Sequence, residues 1–482
     1  VKTIAIIGGG FSGTLTAINL ARFSDSPLRI CLVNHRHPVG RGVAYSTRHN
    51  EHLLNVAARN MSALPDHPGH FLEWLRTRSE YADLPEQELR EVFVPRQVYG
   101  DYLRGLLLWH SQPIEVDPAV QIEIVHDEVV DIFPCGEGAA VVLAGGREIE
   151  ADKALLATGN QPPADWPSSA AAFHHPQYVA NPWEAWEHRL PDRDEPVVLL
   201  GAGLTMIDVF LTLNAHGWQG PLTAVSRHGL LPLSHFKGIE YADFPPADVS
   251  HMRLGNLVEL VEDHCARLQR RGVNPAIIVD KFRPHTQHVW QNFSLAEKRE
   301  FFRRYGARWN ATRHRVAQQI HEQVAAAVAD GSLLVVKGAI RDLHSAGQKL
   351  VVTVDDAGGG RRTIAGGLVV NCTGPQASVS AAAAPLLKNL LRRGLVRADE
   401  MDMGIEVEAD FAVVDRGGDR SPILFAMGSL LKGTLWETTA VPELRGQAFR
   451  VAQILLDEVH AERGAREAWS YPFDAEVLEY CI

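Results

Sequence analysis

Thr3-Ile4-Ala5-Ile6-Ile7-Gly8-Gly9-Gly10-Phe11-Ser12-Gly13 decides how the rest of the chain is read. A short apolar run passes straight into glycines, and beyond them Leu15, Ile18 and Ala21 recur at helical spacing. The pattern predicts strand, tight turn and helix. Gly8 permits the turn, Gly10 lets a pyrophosphate approach the backbone, and Gly13 lets helix and strand pack closely. Phe11 and Ser12 open the helix, whose unpaired N–H groups and partial positive charge face the phosphates. The stretch therefore points to a dinucleotide site, and its place at the start of the chain favours a flavin-binding domain over an inserted one.

Working outward, 482 residues exceed a single core and suggest about two or three domains. A net charge of −11 argues against nucleic acid or anionic membrane as a general partner. Cys31, Cys135, Cys265, Cys372 and Cys481 are scattered without a CxxC, as expected of free thiols in a reducing cytoplasm. No long apolar span occurs, and Val1 to Ile7 is too short for a signal peptide. A soluble, cytoplasmic protein is expected.

Leu28 to Val33 reads as the next strand, and Asn34 follows it where an acid usually meets the adenosine ribose. Its amide can still bond a ribose hydroxyl, without the strength of a carboxylate. Glycine and proline between His37 and Pro65 predict a shaped loop, and a helical insert spans about 50–110 with helices at Phe71 to Leu75 and Tyr99 to Leu108. His49 with His52, and His67 with His70, lack the further ligands a metal site needs, so no metal is expected. Alternation from Gln121 to Ala151 predicts a small β-meander. Lys153 to Leu156 then forms a buried strand ending in Ala157-Thr158-Gly159-Asn160, and Pro162, Pro163 and Pro167 mark a linker.

A second strand, turn and helix follows at Pro196 to Asp208, with Gly201, Gly203, Leu204 and Thr205 at the turn and Met206 in the third glycine position. The next strand ends in Ser226-Arg227-His228, and an arginine there suits a 2′-phosphate, so NADPH is preferred over NADH. Asn256 to Arg271 and Leu295 to Ala329 are helical by period. Between them a basic aromatic segment runs from Lys281 to Phe293, with Arg283 and His285 beside a proline and Arg313 farther on. A second meander, from Leu333 to Gly367, closes on Leu368 to Asn371 and Cys372-Thr373-Gly374, which reads as a return to the first domain. Ile423 to Ala426 is the last strand, with Gly428 and Ser429 after it and Pro442 opening a helix whose N-terminus suits negative charge on a flavin ring.

The fold class is α/β. Two Rossmann-like dinucleotide-binding domains are expected, the FAD domain discontinuous over 1–190 and 335–482, and the NADPH domain inserted at 191–334 with a helical, basic-aromatic, substrate-side segment. Assembled in this order, the chain resembles the two-dinucleotide-domain flavoproteins, the superfamily of flavin-containing, Baeyer–Villiger and N-hydroxylating monooxygenases. More closely, it looks like the bacterial FAD/NAD(P)-binding proteins. The resemblance rests on Gly8 to Gly13, Gly40 to Tyr45, Leu54-Asn55-Val56, Val94-Pro95-Arg96, Gly201 to Thr205, Ser226 to Leu230, Arg313-His314-Arg315 and Trp436 to Glu443.

In such enzymes NADPH reduces FAD, O₂ adds at the flavin C4a, and retained NADP⁺ shields the adduct from water. The resemblance implies oxygen transfer to the nitrogen of a small amine or amino acid. The alternative is an NADPH-dependent reductase or oxidase that inserts no oxygen. It further implies Arg41, Asn55 and Arg96 at the flavin face, with Gly42 and Tyr45 beside the cofactor, and Thr439 and Val441 offering N–H groups to the pyrimidine edge. Arg283, His285 and Arg313 are the candidates to clamp a substrate carboxylate. Ser429 stands where an aspartate commonly holds the ribityl or pyrophosphate region. A homo-oligomer is compatible with all of this.

Overall fold

A computed structural model describes residues 1–112, 120–164, 170–356 and 358–460; Pro167 and Cys481, named above, lie outside the described residues. Lys2–Ile7 is flanked in parallel by Leu28–Val33 and Lys153–Leu156. Val120–Val125 lies beyond the first neighbour and Arg420–Ala426 beyond the second, with Ala412–Val414 antiparallel at the edge. Ile4, Ile6, Ile30, Leu32, Ala154 and Leu155 are all fully buried. A parallel strand covered on both faces needs such a continuous apolar run, not an alternating one. The helices Phe11–Phe23 and Val441–His460 pack together on this sheet, and the helices His70–Arg76, Glu86–Glu91 and Arg96–His110 make up the insert.

Val120–Val125, expected at the head of the meander, is instead an edge strand of this first sheet. The meander is the antiparallel set Val129–Cys135, Gly138–Leu143 and Glu148–Ala151.

The second sheet centres on Val197–Leu200, between Leu222–Ser226 and Leu368–Asn371, with Tyr178–Val179 beyond the latter. Leu333–Ala346 runs parallel to Leu222–Ser226 over its first residues, then turns antiparallel to Lys349–Asp356, which pairs with Arg361–Gly366. The second meander thus grows out of the second sheet.

Leu368–Asn371 therefore does not return the chain to the first domain, and the boundary expected at 335 is displaced past 371. The two sheets repeat one geometry, which makes this strand resemble one of the first sheet in sequence. A Cβ on Gly8 would lie 2.3 Å from the Ala157 oxygen, and a Cβ on Gly201 would lie 2.4 Å from the Cys372 oxygen. Gly8 and Gly201 have φ of 114° and 117°. Thr373-Gly374 is accordingly the second sheet's counterpart of Thr158-Gly159, and Gly374 is no part of the first crevice.

The outgoing and returning crossings run side by side. The Gln376 N–H donates to the Pro162 oxygen at 3.1 Å, and Asn371 Nδ2 donates to the Ala164 oxygen at 3.0 Å.

The basic-aromatic segment has a core of its own, separate from that of the second sheet. Leu254–Arg270, Ile277–Phe282, Thr286–Asn292, Leu295–Arg304 and Gly306–Arg313 enclose Phe244, Phe282, Trp290 and Phe293, and Trp436 from the tail of the first domain joins them. The helix expected over 295–329 breaks at Tyr305 and again at His314, before Gln318–Asp330. Among the described residues no helix is long and apolar enough to cross a membrane.

Candidate active site

A crevice of about 370 Å³ opens where the strands of the first sheet end, the usual place for a ligand in an open parallel sheet. Gly8, Gly10, Phe11 and Ser12 line it from the first turn, Asn34 from just past the strand Leu28–Val33, and Arg41, Gly42 and Tyr45 from the short helix Gly42–Tyr45 and its N-cap. Thr158, Gly159, Ser429 and Thr439 complete it. Gly13 lies behind this wall, where a Cβ would stand 1.9 Å from the Gly8 oxygen. Gly428 also backs it, with φ of 72° and its N–H donating to Gln447 Oε1 at 2.9 Å. Val441 is buried and begins the helix Val441–His460.

This crevice fits a flavin adenine dinucleotide. Gly10 caps the helix Phe11–Phe23 without a side-chain bond, which leaves the terminal N–H groups to a ligand. Thr158 Oγ1, Ser429 Oγ, Gln161 Oε1 and Arg41 Nε are buried in or beside the crevice without a hydrogen-bond partner. Such atoms cost about 1–3 kcal/mol each unless something meets them. Asn34 is partly committed: one Nδ2 hydrogen goes to the His37 oxygen at 2.7 Å, which leaves the amide oxygen and the second N–H for a ribose hydroxyl. A larger open cleft of about 790 Å³, between the helical insert and residues 236–239, holds none of these groups.

Two residues expected at the flavin face stand elsewhere. Arg96 spends its guanidinium on Asp208, at 2.6 and 3.0 Å, and on the Leu53 oxygen at 2.9 Å. Asn55 offers its backbone oxygen to His235 Nε2 at 2.8 Å and does not line the crevice. Arg41 does line it, in an ion pair with Asp101.

At the second turn, Gly201 and Gly203 precede the helix Leu204–Ala215, again without a side-chain cap. A Cβ on Gly203 would meet nothing within 4 Å, so the backbone there is open to a ligand. Leu204 and Thr205 are partly exposed in the helix's first turn, and Arg227 is exposed at the end of Leu222–Ser226. Ser226 Oγ accepts from the Gly229 N–H at 3.0 Å, which shapes the loop carrying Arg227.

The expected carboxylate clamp is partly filled by the protein itself. Arg283 Nε and Nη2 donate to Glu443 Oε1 and Oε2 at 2.6 and 2.7 Å. Burial works to raise the Glu443 carboxyl, but the Arg283 charge and its hydrogen bonds outweigh it and hold the group below the usual carboxylate range. Arg313 lies 3.4 Å from Glu437 Oε2, yet its buried Nε and Nη2 make no hydrogen bond. Burial, then the Arg283 charge, lowers its pKa against the pull of Glu437 and Glu443. His285 stands apart, 3.4 Å from Ser250 Oγ.

The sequence reading missed the acids of this cluster. Glu437 has a φ of 63°, is buried, and accepts from Trp309 Nε1 at 2.8 Å. A buried, strained, charged residue beside Thr438 and Thr439 is the kind of outlier found at functional sites. Both acids lie in the Trp436 to Glu443 motif, which was the available signal. The histidine pairs also find protein partners: His49 meets Glu187, His67 meets Glu73, and His70 meets the Tyr102 hydroxyl.

Residues 5–161, which carry much of the first crevice's lining, match a family model described as FAD-NAD(P)-binding. No curated protein sequence matches the chain. Among solved structures, ornithine hydroxylase PvdA from Pseudomonas aeruginosa aligns with a TM-score of 0.64 at 15% identity, over 95% of this chain and 99% of that one. L-lysine 6-monooxygenase from Pseudomonas syringae aligns at 0.63 and 16%, over 95% and 99%. Bacillithiol disulfide reductase from Bacillus cereus aligns at 0.52 and 14%, over 95% and 99%. The chain thus has the fold of the two-dinucleotide-domain flavoproteins, with FAD and a nicotinamide dinucleotide as the cofactors that fold is built around.

Proposed function

We propose that this protein is an NADPH-dependent FAD monooxygenase that hydroxylates the nitrogen of a small amine or amino acid. The observation that carries the reading is the pair of uncapped glycine turns in one chain, the first opening on a crevice with unpartnered Thr158 and Ser429 hydroxyls. Likeness in fold to ornithine, lysine and cadaverine monooxygenases supports it. Its free cysteines suit a reducing compartment, and we place it in the cytoplasm.

Bound FAD supplies the electron transfer and the oxygen chemistry. Gly8, Gly10 and the N-terminal N–H groups of Phe11–Phe23 would hold its pyrophosphate, while the Thr158 and Ser429 hydroxyls and the Asn34 side-chain amide would hold its sugar portions. Thr439 and the start of Val441–His460 bring partial positive charge to the far end of the crevice. Gly201, Gly203 and the N-terminus of Leu204–Ala215 hold the second pyrophosphate, and Arg227 reads a 2′-phosphate. Arg313 keeps donors for an acidic group on the substrate. O₂ and this small molecule are the remaining reactants.

The second reading, a reductase that inserts no oxygen, is favoured by the likeness to bacillithiol disulfide reductases. One experiment separates the two. FAD-loaded protein is reduced with NADPH in the absence of oxygen, then mixed with O₂ and a panel of amines, amino acids and thioethers, and products are analysed. A hydroxylated amine supports the first reading; NADPH consumption with stoichiometric peroxide and no product on any substrate supports the second.

A further inference from the structure

Asp208 stands one turn into Leu204–Ala215, the helix whose N-terminus forms the second nucleotide cradle. Arg96, at the start of the insert helix Arg96–His110 of the first domain, grips both of its oxygens, at 2.6 and 3.0 Å, with side chains 17% and 19% exposed. The Arg96 Nε is tied to Leu53. His52 reaches the same turn: its Nε2 lies 2.9 Å from the Asp208 backbone oxygen and 3.0 Å from Thr212 Oγ1. A carbonyl can only accept, so His52 carries its proton on Nε2, and its Nδ1 accepts from Thr47 Oγ1 at 2.7 Å. Leu53 and Phe93 pack beside them against the core of the second sheet.

A guanidinium held at three points leaves a carboxylate no room to pivot, unlike a single-point contact. We infer that the Arg96–Asp208 pair, seated by His52, is a positioning pin that fixes the second nucleotide cradle at one angle to the first crevice. This rests on the proposed assignment of NADPH and FAD to the two cradles. The step it serves moves a hydride from reduced nicotinamide to oxidised flavin, giving NADP⁺ and the reduced flavin anion, with no other reactant. Arg96 and Asp208 touch neither ring and act through the helix they hold. Because reacting atoms must come within about 3.5 Å, a displacement of roughly 1 Å costs about a hundredfold in rate.

The test is oxygen-free rapid mixing of FAD-loaded protein with saturating NADPH, following flavin bleaching. Asp208→Asn and Arg96→Lys are compared with the unaltered protein, and Asp208→Glu serves in place of any variant that does not fold. The expected result is flavin reduction slowed about tenfold or more at saturation, with bound FAD content, NADPH affinity and reduction by dithionite unchanged. A role in stability alone would lower the melting temperature and leave the saturated rate intact. Variants that reduce flavin at the unaltered rate would overturn the pin and spare the functional reading. An unaltered protein that NADPH cannot reduce would overturn both.

Discussion

Arg283 in the helical segment and Glu443 in the first turn of Val441–His460 form a buried, two-point ion pair across 160 residues of chain. The pair ties the helical segment to the helix that borders the flavin crevice. Removing one partner strands a buried charge, whereas replacing both with apolar groups does not. Arg283→Ala is expected to destabilise the protein by about 3–5 kcal/mol, and Arg283→Met with Glu443→Leu to recover most of that loss. Denaturant unfolding of the three proteins checks it.

The glycines of the two turns make opposite predictions. A Cβ on Gly13 would stand 1.9 Å from a backbone oxygen, which cannot step aside, so Gly13→Ala is expected to yield protein stripped of FAD. Gly203→Ala has open space and is expected to keep its fold and its FAD while NADPH binding weakens, because the new methyl occupies the phosphate's approach. The ratio of flavin to protein absorbance and the Michaelis constant for NADPH are the readouts.

Arg227→Ala is expected to raise the Michaelis constant for NADPH by about 10- to 100-fold, the worth of a charge-assisted hydrogen bond, and to leave that for NADH nearly unchanged. Equal effects on both coenzymes would remove the 2′-phosphate assignment.

Stability is expected to fall on acidification through the histidines. Burial holds His52 and His235 below their ordinary range, and burial with the nearby Arg22 and His70 charges pushes His110 down to about 4. These rings stay neutral in the folded chain while the unfolded chain takes up protons below about pH 6.5. Their contribution is therefore complete above about pH 6.5 and is lost as pH falls, for His110 until about pH 4. Melting temperature against pH, with the histidine ring protons followed by NMR, tests the sign; a melting temperature that rose on acidification would contradict it.

What the sequence made legible was local. The glycine turns, the buried strands Lys2–Ile7 and Val197–Leu200, and the meander strands each carry their pattern within about ten residues, and the crevice inherits its lining from them. Partners of charged side chains are tertiary facts, so nothing in Val94-Pro95-Arg96 could reveal Asp208, and nothing beside Pro284 could reveal Glu443. Leu368–Asn371 differs from its expected place for another reason. Its Thr-Gly ending repeats that of Lys153–Leu156, and a repeated local pattern does not say which copy of the sheet it joins.

The neighbouring crossings at Pro162 and Gln376 make the inserted unit a guest whose two ends meet at one doorway. Its host sheet is contiguous in space although interrupted in sequence. A replacement for that guest would need two junctions at the doorway and, beyond the right spacing, its own partners for Arg96 and Glu443, so the unit is exchangeable only together with the contacts that seat it.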